Sequence, residues 1–201
     1  LRIARDIHDD LSARATHISL LSARGEEEAG AEKTRAIFEQ ISGVTRNLVF
    51  ALHETIWAVN PENDNAEALV NHLCQIANEL CESASLRCRL HVPPQLPDSS
   101  PIASDVRHQI TMTVREAIHN AVKHAHAQEL VLSFVIENSV LSITVRDDGR
   151  GFIPATAAQG NGLGNMRRRL EEIGGTVAIE SSEGHGTAMI LNLELSGKIE
   201  I

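Results

Sequence analysis

The stretch from Ile37 to Pro61 leaves little choice but a helix. Ile37, Ile41, Val44, Leu48, Ala51, Thr55 and Val59 follow at intervals of four and three, a heptad seam that runs on to Asn60-Pro61. Proline stops the helix there, because its ring clashes with the preceding turn and it has no N–H to donate. Upstream, Ile3, Ile7, Leu11, Ala15, Ile18 and Leu21 keep the same spacing from Leu1 to about Arg24, with no glycine or proline among them. Gly25-Glu26-Glu27-Glu28-Ala29-Gly30 then reads as the turn of a helical hairpin, its glutamates solvated. Two antiparallel helices joined by a short loop cannot enclose a core alone, whereas a second copy would complete a four-helix bundle. A homodimer is therefore expected; the alternative is that both seams pack on the rest of the same chain.

Past Pro61 the texture changes. Pro61-Glu62-Asn63-Asp64-Asn65 is a polar break, which divides the chain into residues 1–60 and 61–201. The second part reads as a helix from Ala66 to Ser85, a short strand Arg87–Val92, and a loop Pro93–Pro101. A helix follows from Ser104, its expected N-cap, to about His126. Strands Leu130–Glu137 and Val140–Arg146 flank the turn Asn138-Ser139, and Asp147–Gly164 is a glycine-rich loop. Helix Asn165–Ile173 and strands Thr176–Ser181 and Thr187–Leu195 complete an α+β chain. Its second part is an α/β sandwich, one antiparallel-leaning sheet with helices on one face.

Composition removes several classes of function. With 18 Lys+Arg against 27 Asp+Glu the net charge is −9, which disfavours direct nucleic-acid binding or any other polyanion as principal partner. Aromatic residues are 2% of the chain, with no Tyr and one Trp, which disfavours base-stacking platforms and aromatic sugar clefts. No apolar run approaches the roughly 18 to 20 residues of a membrane helix, and no signal peptide opens the chain. Cys74, Cys81 and Cys88 cannot all pair and show no C-x-x-C spacing; Cys74 and Cys81 read as small apolar core positions, and a reducing cytoplasmic setting fits. Leu1 opens the chain in mid-helix without an initiator Met, so a piece of a longer protein is expected, with any membrane attachment in upstream segments.

Four constellations in the second part carry chemistry. On the helix Arg115-Glu116-Ala117-Ile118-His119-Asn120-Ala121-Val122-Lys123-His124, Glu116, Asn120 and either Lys123 or His124 share one stripe, aligning a carboxylate, a carboxamide and a cation. A phosphate with its Mg²⁺ would give such groups partners; a solvated helix face is the plainer alternative. Next, Asp147-Asp148-Gly149-Arg150-Gly151-Phe152 ends a strand in a carboxylate and two glycines, which suits close approach of a flat ligand and acceptance of a hydrogen bond from an exocyclic amine. Third, Gly160-Asn161-Gly162-Leu163-Gly164 leads into a helix, a backbone cradle for phosphate. Last, Gly184-His185-Gly186-Thr187 is a glycine turn between the final strands.

In this order and on these elements, the four resemble the ATP-binding domain of the family that joins sensor histidine kinases to the Hsp90, gyrase and MutL ATPases. The resemblance covers about residues 63 to 195 and implies a Bergerat-type α/β sandwich. No Gly-Lys-Ser/Thr follows the glycine runs, so neither a Walker loop nor a Rossmann fingerprint is meant. The first part then selects a branch. Arg2-Ile3-Ala4-Arg5-Asp6-Ile7-His8-Asp9-Asp10-Leu11 puts His8 at the edge of the helical seam beside an acid, where a neutral imidazole is available as a nucleophile. It resembles the dimerisation and phosphoacceptor domain of histidine kinases related to the nitrate-sensor and desaturase-regulating kinases. Trp57 to Asp64 and Gly162 to Leu170 strengthen that likeness.

The resemblance implies that His8 is phosphorylated from ATP with Asp9 as its base, and that the phosphoryl group passes to an aspartate of a response-regulator receiver domain, usually of a DNA-binding protein. It further implies Asn120 as Mg²⁺ ligand and Asp147 as adenine acceptor. Lys123 and His124 would lie near the phosphates, and Gly149, Gly151, Gly160, Gly162, Leu163, Gly164, Gly186 and Thr187 would build the nucleotide site. Glu116 stands where the ATPase relatives keep a water-activating carboxylate. Ala13 occupies the position, four after Asp9, at which relatives that dephosphorylate their partner carry Gln or His, so the resemblance leaves phosphatase activity open. Two rival functions remain: a nucleotide-binding dimerisation module without kinase activity, and an ATPase that uses Glu116.

Overall fold

The computed structural model describes residues 15–22, 31–96, 101–153 and 161–195. His8, Asp9, Ala13, Gly160 and the turn at Gly25–Gly30 lie outside them. Two compact units divide the chain, Leu1–Asn60 and Pro61–Ile201. No helix among the described residues is long and apolar enough to cross a membrane.

In the first unit, residues 15–22 form helix α1 and Ala31–Val59 form α2. Helix α2 stops two residues before Pro61, as the missing N–H requires. Its seam is covered at Ile37, Ala51 and Thr55, but the last step differs from expectation. Val59 is 49% exposed, whereas Ala58 is 1% exposed. A strict alternation of four and three steps from Thr55 to Ala58, so the seam keeps its register and Val59 belongs to the neighbouring stripe. That stripe is apolar too: Phe38, Val49, Leu52, Ile56 and Val59 are all exposed.

In the second unit, Pro61–Asn63 makes one 3₁₀ turn and helix α3 spans Ala66–Ser83. Asn65 caps α3, its side-chain oxygen accepting from the Ala68 N–H at 2.8 Å. Leu69, Val70, Leu73, Ile76, Ala77 and Cys81 give α3 one buried face. After β1 (Arg87–His91), α4 runs from Ser104 to Asn120. Ser104 is not its N-cap: Ala103 holds that place without a side-chain bond, and the nearest help is Asp105, which accepts from the Val106 N–H. Nor does the α-helix reach His126. A five-residue π turn, Ala121–Ala125, ends it, and His126 leaves with a positive φ of 52°.

Strands β2 (Glu129–Glu137) and β3 (Val140–Asp147) form a hairpin through Asn138 and Ser139, both at positive φ. Helix α5 (Asn161–Glu172) includes four residues ahead of the expected start, so the helix runs through Gly162 and Gly164 despite their low helix propensity. Strands β4 (Thr176–Ser181) and β5 (Thr187–Glu194) complete a five-stranded sheet of order β1-β2-β3-β5-β4. All neighbours are antiparallel except β1 and β2, which run parallel. Helices α3, α4 and α5 contact the sheet. The covered face alternates strictly: Leu130, Leu132 and Phe134 on β2, then Leu141, Ile143 and Val145 on β3, then Met189, Leu191 and Leu193 on β5.

Candidate nucleotide-binding site

At the end of β3 the alternation that calls for another apolar side chain delivers Asp147. It is 6% exposed and lies in phase with Leu141, Ile143 and Val145. Its Oδ1 accepts from the Gly149 N–H at 2.9 Å. Burial pushes its carboxyl above the usual range, the Gly149 and Thr187 N–H groups pull it back down, and neighbouring Asp148 pushes it up. Such a carboxylate is an acceptor held in an apolar wall, suited to a donor that a ligand brings.

It opens into a cavity of about 320 Å³. Val145 and Asp147 on β3, Thr187 and Met189 on β5, and Ile179 on β4 make the sheet wall. Ala117, Asn120 and Ala121 enter from α4 and the start of the π turn, and Gly162, Leu163 and Met166 from α5. The lining is mostly apolar with few polar groups, the pattern of a site for a flat, partly polar ligand.

Helical spacing from Ala117, Asn120 and Ala121 sets which basic side chain faces this space. His124 lines the cavity, whereas Lys123 is exposed and off its wall. Asn120 lines the cavity as well, and Glu116, one turn earlier, is half-buried beside Gly162. Burial pushes the imidazole of His119 below its ordinary range, with Glu116 opposing and Arg115, Lys123 and His124 adding to the fall.

The glycines divide by function. A Cβ at Gly149 would meet the Ala125 carbonyl oxygen at 2.4 Å, and one at Gly186, whose φ is +72°, would meet that of Asp147 at 2.1 Å. One at Gly151, also at positive φ, would lie 2.0 Å from the Ser182 carbonyl oxygen. These three let backbone lie on backbone: the Arg150 N–H donates to the end of the π turn and Gly184 N–H to Arg150. Of the three, only Gly151 also lines the cavity. Gly162 lines it too, while Gly164 is exposed with open space around it. Thr187 contributes a hydroxyl 3.0 Å from Ser181 Oγ, which also accepts from the Phe152 N–H.

Sequence reasoning passed over Asp148, Arg150 and Phe152 as individuals. Asp148 points away from Asp147 and clasps the start of β2, accepting from the Gln128 and Glu129 N–H groups at 2.8 and 2.9 Å. The Glu129 bond, foremost among its causes, holds its carboxyl below the usual range. Two adjacent acids thus do opposite things, and only strand parity separates them. Arg150 and Phe152 line the cavity inside the glycine motif, where their side chains were the unread positions. The apolar lining from Met166, Ile179 and Met189 carries no signal apart from ordinary core periodicity.

The donor set also fits a hard cation. Asn120 offers a carboxamide oxygen on the cavity wall, and Mg²⁺ takes few protein oxygens with phosphate and water completing its shell. No group of three His, Cys, Asp or Glu side chains able to hold a metal occurs among the described residues, so the remaining ligands would have to come from phosphate and water. Cys74, Cys81 and Cys88 are free thiols; burial, first among the causes, pushes Cys74 up to about 11 and Cys81 to about 12.

Residues 105–197 match the family described as histidine kinase-, DNA gyrase B-, and HSP90-like ATPase. The chain is 29% identical over 199 residues to the nitrate/nitrite sensor protein NarQ of Escherichia coli, covering 94% of this chain and 34% of NarQ. It is 26% identical over 193 residues to the sensor histidine kinase LiaS of Bacillus subtilis, covering 92% of this chain and 51% of LiaS. The chain therefore spans about half the length or less of these curated relatives. Among solved structures, the blue-light activated histidine kinase EL346 of Erythrobacter litoralis superposes with a TM-score of 0.60 at 18% identity, covering 100% of this chain and 62% of that one.

Proposed function

We propose, for a chain that is a relative of the sensor histidine kinases, that it is the catalytic core of such a kinase: ATP phosphorylates His8, and the phosphoryl group then moves to an aspartate of a response-regulator receiver domain. One observation carries the reading. The core-facing phase of β3 ends in a buried carboxylate that opens into an apolar cavity beside Asn120 and His124. Adenine fits that wall, its exocyclic amine donating to Asp147, and the triphosphate then extends toward Asn120, His124 and the first turn of α5. Mg²⁺, where bound, supplies charge neutralisation of the phosphates, and Asn120 is the residue to hold it.

The chemistry asked of the chain is modest. A neutral imidazole nitrogen of His8 attacks the γ-phosphorus in line; an N–P bond forms as the bond from phosphorus to the β,γ-bridging oxygen breaks, and ADP departs. Asp9 takes the ring proton. Most of the rate comes from positioning, since effective molarities can reach about 10⁵ M or more when reacting atoms are held in line. The exposed stripe on α2 supports the dimer that a helical hairpin requires. Phe38, Leu52, Ile56 and Val59 lie about 90° round the helix from the covered seam, so each α2 has one face for its own chain and one for a second copy.

Incubation with γ-labelled ATP, beside a His8→Gln variant, tests this. Acid-labile, alkali-stable label on the unsubstituted chain alone is expected. Phosphate release that survives the substitution would assign the chain to the ATPases, and bound nucleotide without label on either protein would leave a silent dimerisation module.

A further inference from the structure

Glu116 and Gly162 come together in a way the nucleotide site alone does not explain. A Cβ built on Gly162 would lie 3.0 Å from Glu116 Oε1 and, among the described residues beyond its own helix, within 4 Å of nothing else but that carboxyl's own carbon. Gly162 is the second residue of α5, so the carboxylate rests beside the helix's first turn. The first four N–H groups of any α-helix have no partner within it, and that end carries partial positive charge. Glu116 itself is not on the cavity wall, whereas Gly162, Leu163 and Met166 are. The carboxylate is thus set against the first turn of α5 where α4 and α5 pack on each other.

We propose that Glu116 is a positioning residue that holds the first turn of α5 in place as one wall of the nucleotide cavity, and that residue 162 is glycine to admit this carboxylate. The inference rests on the nucleotide-binding reading above and assigns Glu116 a role other than proton transfer or water activation. Its sign is diagnostic. A carboxylate that merely sat near the phosphates would repel them, so removing its charge would strengthen ADP binding or leave it unchanged. A carboxylate that holds the wall makes ADP binding weaker when it is lost.

The experiment is a double-mutant cycle on the full chain, read by calorimetric binding of ADP with Mg²⁺ and of ADP with a chelator. Thermal melts establish that each variant is folded. Glu116→Gln and Glu116→Ala are each expected to weaken ADP binding about two- to fivefold in both conditions, the range for a charge at a helix end. Gly162→Ala should weaken it slightly in the unsubstituted background and have no further effect beside Glu116→Ala, because the tight contact it creates, which the carboxylate must yield by a few tenths of an ångström, is with that carboxylate. Unchanged or tighter ADP binding in the Glu116 variants would overturn the proposal, as would weakening seen only with Mg²⁺, which would make Glu116 a metal ligand. Independent, additive effects of the two substitutions would also overturn it. Failure of the unsubstituted chain to bind ADP would remove the nucleotide reading itself, and this inference with it.

Discussion

On α2 of the first unit, Phe38 and Ile56 stand 66% and 59% exposed in a row of apolar neighbours; on α3 of the second, Leu69 and Leu73 are fully covered. Both helices are amphipathic, so the difference lies in what surrounds them. Three helices laid on one face of a five-stranded sheet can cover one another's apolar stripes, and the second unit closes its own core. In the first unit α2 carries a second apolar stripe that stays exposed beside the covered one, and in the proposed dimer a second copy would cover it. Each unit can be broken separately, and the effects should differ in kind.

The largest effect is expected at Gly186. With φ at +72° and a Cβ placed 2.1 Å from the Asp147 carbonyl oxygen, Gly186→Ala cannot be absorbed by a side-chain rotation. It should destabilise the second unit by about 4 kcal/mol or more, combining left-handed strain with a backbone clash. Denaturant unfolding followed by circular dichroism measures it, and a midpoint equal to that of the unsubstituted chain would show that β3 and the β4–β5 turn do not lie as close as described.

Next comes the first unit. Leu52→Glu with Ile56→Glu places carboxylates in the open stripe of α2. Burying them without partners should weaken a dimer about a hundredfold or more, roughly 3 kcal/mol, and yield monomers in sedimentation equilibrium. ADP affinity per chain should be unaltered, since the second unit closes without that stripe. A dimer that persists would assign the interface to another surface.

Asp147→Asn tests the site within the self-contained unit. Loss of a charged acceptor should weaken ATP binding by about 1 to 3 kcal/mol. The same substitution has an opposite consequence for stability. Burial raises the carboxyl's pKa in the folded unit above its unfolded value, so the stability this group contributes is fully present below the unfolded pKa and is lost as pH rises through the folded one. The Asn variant has no such loss. Its Tm relative to the parent should therefore climb with pH across that interval and level off above it. A difference independent of pH would mean the carboxyl is not desolvated.

Most of the architecture was open to reading because it rests on periodicity and on strong breakers. The stop at Pro61, the one covered face of α3 and the Asn138-Ser139 hairpin all follow from local chemistry that tertiary structure did not override. Asp147 was legible as an acid at a strand end ahead of two glycines, but its place inside β3, in phase with the apolar residues, was not. What was hidden depended on a helix's exact winding or on contacts across the fold. Ordinary helical spacing already groups His124, and not Lys123, with Ala117, Asn120 and Ala121, whereas the widening of Ala121–Ala125 into a π turn has no mark in the sequence. Asp148 could not be told from Asp147 by composition. Its partners, the N–H groups of Gln128 and Glu129, lie across the hairpin.

The smallest expected effect concerns the glycine motif whose members the sequence treats alike. Gly160-Asn161-Gly162-Leu163-Gly164 reads as one phosphate cradle, yet α5 begins at Asn161, so Gly162 and Gly164 are helical residues on different sides of its first turn. A Cβ at 162 meets Glu116, while a Cβ at 164 meets nothing within 4 Å. Gly164→Ala should therefore stabilise the second unit by about 0.5 to 1 kcal/mol, through reduced freedom of the unfolded chain and better helix propensity, and leave ADP affinity unchanged. Thermal melts and calorimetry on this variant beside Gly162→Ala separate two roles that the motif conflates. If Gly164→Ala instead weakened nucleotide binding, the first turn of α5 would have to unwind around the phosphates, and the loop that the glycines predict would be the nucleotide-bound form of this segment.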